Sequence, residues 1–250
     1  MGVRFLSRTL NFMNRSEAIR FLILRSIGNF LLLFAIFGVL ATFGPALYYE
    51  VSFKIVQARG IKYAVVDNQT SPLGEILKKQ KTENSQGIDG GFAAILAGPK
   101  EQILIPKDTD FSILIPRLGA STKIFPNIDP SNQNEFLPIL RNGVAHAKGT
   151  LFPGMAGNIY LFAHSTDNFW DVGRYNAVFY LLKDLKPGDD IVIFFENQRH
   201  NYVVTDSKIV DPQNVSFITH SQTGKERLIL QTCWPPGTTW KRLLVFAKPK

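Results

Sequence analysis

Cys233 is the one cysteine in a chain of 250 residues. It has no partner for an internal disulfide and no second thiol for a zinc cage. Two roles are open to it. One is that of a small buried hydrophobe, the usual fate of a cysteine outside a disulfide. The other is that of a nucleophile. That role requires a base or cation nearby, because an ordinary thiol titrates near ~8.5 and is mostly protonated at neutral pH. Four histidines could supply the base. His164 ends the run NIYLFAH, at a strand end where a rim residue belongs. His146 sits in the loop-like GVAHAKGT, His200 in a polar hairpin turn, and His220 in the polar stretch before the cysteine run. The pattern favours His164, although each of the four also fits a solvated or hydrogen-bonded structural histidine. Arg242 follows Cys233 by nine residues. It brings a permanent charge and five donors, yet alone it reads equally as a surface arginine.

The elements that must position these residues are mainly β. From residue 107 to residue 250, short runs rich in branched and aromatic residues alternate with turn residues. The clearest are 111–115, 158–163, 190–195, 201–210, 227–231 and 243–247. The polar stretch 196–200 between two of them predicts a hairpin. Val178, Leu181, Leu182 and Leu185 fall on one helical face, and Lys186-Pro187-Gly188-Asp189 stops that helix and turns the chain. Many strands and little helix predict a single β-barrel or sandwich, whose rim loops are the natural place for a site. Cys233 closes one run and Arg242 opens the next, so neighbouring strands would carry them.

The first fifty residues are a different kind of sequence. The chain has 28 basic and 20 acidic residues, a net charge of +8. Half of that excess lies in residues 1–25, where Arg4, Arg8, Arg15, Arg20 and Arg25 face only Glu17. Residues 26–49 then carry no charge at all. At the helical rise they reach about 36 Å, enough for a hydrocarbon core of about 30 Å. Tyr48 and Tyr49 end the run, where aromatic rings favour an interface. The arginines place the N-terminus in the cytoplasm and everything after residue 50 outside it. Gly44 and Ala46 have the spacing of a signal-peptide cleavage site, but the apolar run is long for a signal core. The reading taken is an uncleaved single-pass anchor in the cell membrane. Topology and attraction to anionic lipid explain the basic tail, so it is not read as an arm for nucleic acid. Residues 50–106 read as a stalk, with the polar run 78–91 too poor in apolar surface to order itself. Residues 107–250 form the domain.

At Leu230-Gln231-Thr232-Cys233, followed by Trp-Pro-Pro-Gly-Thr-Thr-Trp-Lys and Arg242-Leu243-Leu244-Val245, the chain resembles the sortases. These are membrane-anchored cysteine transpeptidases of bacteria whose pattern is Thr-Leu-x-Thr-Cys on one strand and an essential arginine opening the next. Ile229 stands where that pattern has its first Thr, and Ala163 where a Gly usually precedes the histidine. Gly149-Thr150, Pro153-Gly154 and Gly157-Asn158 leading to His164 resemble the family's approach to its catalytic histidine. Ile113-Leu114-Ile115-Pro116 resembles its first barrel strand. The resemblance covers roughly residues 110–248, and the nine-residue gap from Cys233 to Arg242 is that of the shorter-loop sortases. No Asp-Pro-aromatic tripeptide, the lid of many pilin-polymerising members, occurs in residues 50–110.

The resemblance implies a closed β-barrel with one or two short helices after the transmembrane helix. It implies a thioacyl-enzyme on Cys233, formed from the C-terminal sorting signal of a surface protein, of Leu-Pro-x-Thr-Gly type. His164 would exchange protons with the leaving and incoming amines, and Arg242 would hold substrate carbonyls and the oxyanion. The acceptor would be an amine on cell-wall peptide or on a protein lysine. Ser165, Thr232 and Trp234 flank these residues and are candidate substrate contacts. The loops 211–226 and 234–241 would wall the groove, with Trp234 and Trp240 as its apolar side. No phosphate loop, metal-ligand cluster or nicotinamide fingerprint is present, so no cofactor or metal is expected. A hydrolase acting on the same signal, and a non-enzymatic tethered binding domain, are the two alternatives.

Overall fold

The computed structural model describes residues 14–65, 101–165 and 177–250. The polar run 78–91 lies outside the described residues, as do Arg4 and Arg8. The chain divides into two compact units, Met1–Pro45 and Ala46–Lys250.

Helix α1 (Arg15–Ala58) begins in the first unit. Asn14 precedes it, and the Glu17 carboxylate reaches back to accept the Asn14 N–H at 3.3 Å, half of a capping box. Within α1, Arg15–Ala41 is long and apolar enough to cross a bilayer. Its large side chains lie bare, with Phe30 and Leu33 65% and 64% exposed. A helix apolar on all sides and covered by no protein has the surface that lipid covers. It starts earlier than residue 26, because Arg15, Arg20 and Arg25 continue the same helix.

The second unit is mainly β, as the sequence predicts. Its strands are β1 (Lys62–Val65), β2 (Glu101–Leu104), β3 (Phe111–Ile115), β4 (Ala120–Ile128), β5 (Val144–Ala147), β6 (Asn158–Phe162), β7 (Asp190–Phe195), β8 (Gln198–Val210), β9 (Arg227–Trp234) and β10 (Lys241–Pro249). Eight of them close a barrel in the order β10-β8-β7-β3-β4-β5-β6-β9. Among the described residues its helices after α1 are short: α2 (Gln133–Leu140) between β4 and β5, α3 (Ser216–Thr219) before β9, and two 3₁₀ segments, Pro116–Leu118 and Ala177–Asp184. The residues expected to form an α-helix around Leu181 form the second of these instead. Phe179 and Leu182 from it are buried in the barrel core. The β7–β8 hairpin turns on Glu196 and Asn197, with φ of 50° and 61°, the two left-handed residues of a type I′ turn.

Two barrel strands were not legible in advance. Strand β4 contains Lys123 and Pro126, which interrupt any run of branched residues, and its pairing with β5 shifts register between Phe125 and Ile128, around that proline. Strand β5 is VAHA, buried along its whole length, so it has no alternation to detect.

Alternation elsewhere separates inside from outside. Ile113, Ile115, Ile191, Ile193, Leu228, Leu230 and Val245 belong to the interior. Leu114, Val192 and Phe194 point the other way and form a second cluster with Leu104, against which Tyr63 and Val65 pack. Part of the segment expected as a stalk is therefore folded onto the barrel: β1 pairs with β2 in parallel and covers the outer wall of β3 and β7. Glu50, near the end of α1, is ion-paired to Lys183 and accepts the Tyr180 hydroxyl at 3.2 Å. Burial, with Glu50 alongside, pushes the Tyr180 phenol up to about 12, so it stays a donor.

Candidate active site

Cys233 and Arg242 are direct partners in the antiparallel β9–β10 ladder. Paired residues project to the same face, and that face is the outer one, because Thr232 and Leu243 beside them are buried at 2% and 6%. The third strand is β6, which runs parallel to β9 with Phe162 opposite Gln231. The Ala163 N–H donates to the Gln231 carbonyl at 3.1 Å, which carries the pairing past the end of β6. Continued to the next rung, the register sets His164 level with Cys233. Cys233 and Arg242 thus share one rung, and His164 follows two residues past the end of the adjoining strand; each of the three is half-buried.

The approach to His164 is sterically defined. Gly157 precedes β6, and a Cβ there would come within 2.5 Å of the Ser221 carbonyl oxygen. Only glycine lets the two backbones meet so closely. The Asn158 N–H donates to that same oxygen at 2.6 Å, and its side-chain amide donates to the Phe217 carbonyl.

The loop between β9 and β10 holds the guanidinium. Arg242 Nη1 donates to the Thr239 and Lys241 carbonyls, both at 3.1 Å. The Asp211–Lys241 pair at 3.1 Å ties the β8–β9 loop to the start of β10. The backbone N–H of Gln213 and then Lys241 hold the Asp211 carboxyl below its usual range.

Thr232 faces the interior, and its hydroxyl donates to the Ala163 carbonyl at 3.2 Å. Ser165, 1% exposed, accepts the Gly237 N–H at 3.4 Å. Both therefore join elements at the rim and present no surface to a substrate. Trp234 packs against the core while Trp240 is 73% exposed, so the two do not form one apolar wall.

The other histidines lie elsewhere. His146 is in strand β5, not a loop, and is fully buried. Its Nδ1 accepts the Asn127 N–H at 3.3 Å and its Nε2 lies 3.0 Å from the Leu151 carbonyl. That assigns the neutral tautomer with the proton on Nε2, and burial pushes its pKa down. His220 is exposed and His200 half-exposed on β8.

One neighbour of Cys233 escaped sequence reading. Gln231 lies two residues before it on the same face, and its Oε1 accepts the Tyr160 hydroxyl at 2.7 Å. Burial pushes the Tyr160 phenol up, so the hydroxyl donates. The only sequence signal was a single Gln within the apolar run Arg227–Trp234.

A family model described as Sortase domain matches residues 113–250. The chain is 30% identical over 137 residues to sortase D of Bacillus subtilis (strain 168), a match covering 54% of this chain and 60% of that protein. The chain thus spans less than two thirds of this curated relative. Among solved structures, sortase C-1 of Actinomyces oris is 26% identical, with a TM-score of 0.47 over 58% of this chain and 74% of that one. Sortase C of Clostridium perfringens SM101 is 24% identical, with a TM-score of 0.43 over 56% and 68%.

Proposed function

The chain belongs to the sortase family, and from that premise we propose that it is a membrane-anchored cysteine transpeptidase acting on sorting signals of surface proteins. The observation that carries this reading is the pairing of Cys233 with Arg242 on one rung, beside a parallel strand that leads two residues further to His164. Cys233, as thiolate, attacks the carbonyl carbon of the scissile peptide bond. The electron pair moves to the carbonyl oxygen, and Arg242 stabilises that oxyanion. The intermediate collapses to a thioester as the C–N bond breaks, and His164 gives its proton to the departing amine. An incoming amine gives a proton to His164 and attacks the thioester, which forms a new amide and releases Cys233 as thiolate. The signal is of Leu-Pro-x-Thr-Gly type and the acceptor is a cell-wall or lysine amine. The anchor holds the barrel on the outer side of the cell membrane, with the arginines of the N-terminus inside.

Mass spectrometry of the full chain in detergent, incubated with candidate signal peptides, tests this. A thioacyl adduct on Cys233, absent from Cys233→Ala, is expected, and an added amine should convert it to a ligated peptide. Release of free acid alone would make the protein a hydrolase, and an inert Cys233 toward every peptide and thiol reagent would overturn both readings.

A further inference from the structure

Below the rung of Cys233 and Arg242, the next two outward-facing rungs on β6, β9 and β10 are Phe162, Gln231 and Leu244, then Tyr160, Ile229 and Phe246. Protein covers this layer. Tyr160, Phe162, Ile229 and Leu244 are each exposed by 6% or less. Phe136 of α2 meets Phe162 edge-on, and Phe217 of α3 packs against Phe246. Within it the Tyr160 hydroxyl donates to Gln231 Oε1 at 2.7 Å. A hydroxyl and an amide cost more to bury than a Phe and a Leu of like shape. Two apolar side chains would fill the layer without any hydrogen bond, so packing alone does not account for the pair.

The pair is placed to act on the rung above it. Gln231 stands on β9 two residues before Cys233. The Tyr160 ring starts opposite Ile229 and reaches Gln231, so it runs toward Cys233 and Arg242. With its proton committed to Gln231, the phenol oxygen has lone pairs left for a cation. The Arg242 guanidinium is near enough to act on it: burial pushes the Tyr160 phenol up, and the charge of Arg242 opposes that rise. The attraction is mutual. From the loop side, the Thr239 and Lys241 carbonyls accept Nη1. From the covered side, the phenol oxygen draws the same guanidinium.

We propose that Tyr160, fixed by Gln231, is a positioning residue for Arg242, whose guanidinium its hydroxyl oxygen holds on the rung of Cys233. Neither Tyr160 nor Gln231 touches the substrate. The consequence for the reaction rests on the reading of Cys233 as the attacking group and Arg242 as the oxyanion's partner.

The test uses two readouts on the full chain in detergent. One is the pH dependence of Cys233 alkylation by iodoacetamide, which needs no substrate. A cation beside a thiol favours the thiolate, so the midpoint reports where the guanidinium stands. The other is kcat and KM for thioacyl transfer. Tyr160→Phe is expected to raise the midpoint by about half a pH unit and to lower kcat about tenfold with KM held, the scale of one hydrogen bond. In the Arg242→Gln chain, which has no guanidinium to place, Tyr160→Phe should leave the midpoint where it is. Tyr160→Phe also strips Gln231 Oε1 of its donor, so folding is followed by urea melts and by the double variant Tyr160→Phe/Gln231→Leu. There both polar partners are replaced by apolar groups. The double variant should regain stability while midpoint and kcat stay changed. Recovery of midpoint and kcat along with stability would overturn the inference and leave the pair a packing feature. An unchanged midpoint in Tyr160→Phe, or an equal shift in the Arg242→Gln chain, would overturn it too. If the midpoint moves as expected but no peptide forms a thioacyl adduct, the transpeptidase reading falls and the placing of Arg242 stands.

Discussion

Arg242 Nη1 is held by the Thr239 and Lys241 carbonyls, so the guanidinium is oriented before any substrate arrives. A fixed planar fork differs from a mobile ammonium in this position. Arg242→Lys is therefore expected to lower kcat/KM about a hundredfold despite the retained charge, the scale of one lost oxyanion donor. Thiol labelling of Cys233 should persist in that variant, which separates lost stabilisation from lost folding. His146 shows the opposite use of the same residue type as His164. Buried, neutral and bonded through both ring nitrogens, it stabilises the barrel only while unprotonated. Its pKa is depressed in the folded chain, so its contribution is complete above the unfolded value of about 6.5 and is lost as pH falls toward the folded value. Thermal melts should show Tm falling as pH drops from 7.5 to 5. His146→Gln should start lower and depend less on pH.

At the scale of elements, the height of His164 relative to Cys233 depends on the parallel β6–β9 contact. Few bonds continue that contact beyond β6, and the Thr232 hydroxyl to the Ala163 carbonyl is one of them. Thr232→Val keeps the shape and removes the donor. It is expected to cost about 1 kcal/mol in a urea melt and to lower kcat more than it raises KM, because the histidine is left less well placed. Unchanged kcat would show that the rung does not need this bond. Gly157→Ala acts at the other end of β6, where the added methyl meets the Ser221 carbonyl oxygen at 2.5 Å. A loss of about 1–3 kcal/mol is expected by the same measurement.

At the scale of the molecule, the barrel does not end at its own strands. Tyr63 and Val65 of β1 cover Leu114, Val192 and Phe194, which would otherwise face water. A soluble piece beginning at Ala46 should melt higher and elute as a sharper peak in size-exclusion chromatography than one beginning at Glu101. Equal Tm values would mean that β1 contributes nothing to the second unit. Likewise, removing residues 1–45 should move the protein from the membrane fraction to the soluble fraction without detergent, because the bare apolar stretch Arg15–Ala41 goes with them.

The sequence alone determined the apolar helix, the mainly β character of the larger unit, most of its strands, and the placing of Cys233 and Arg242 on neighbouring strands. Each of these is written locally: charge-free length, runs of branched residues, and the spacing of Cys233 and Arg242 on adjacent strands. Tertiary structure alone decided the rest, because it depends on contacts between distant residues. Strand β5 became visible only through burial from all sides, and β4 only through partners that tolerate its proline. The parallel pairing of β6 with β9, joining segments 69 residues apart, decided that the strand leading to His164, and not the one holding His146, lies next to the strand of Cys233. It also turned Thr232 inward and buried Ser165, because alternation along a strand becomes inside and outside only once the barrel closes.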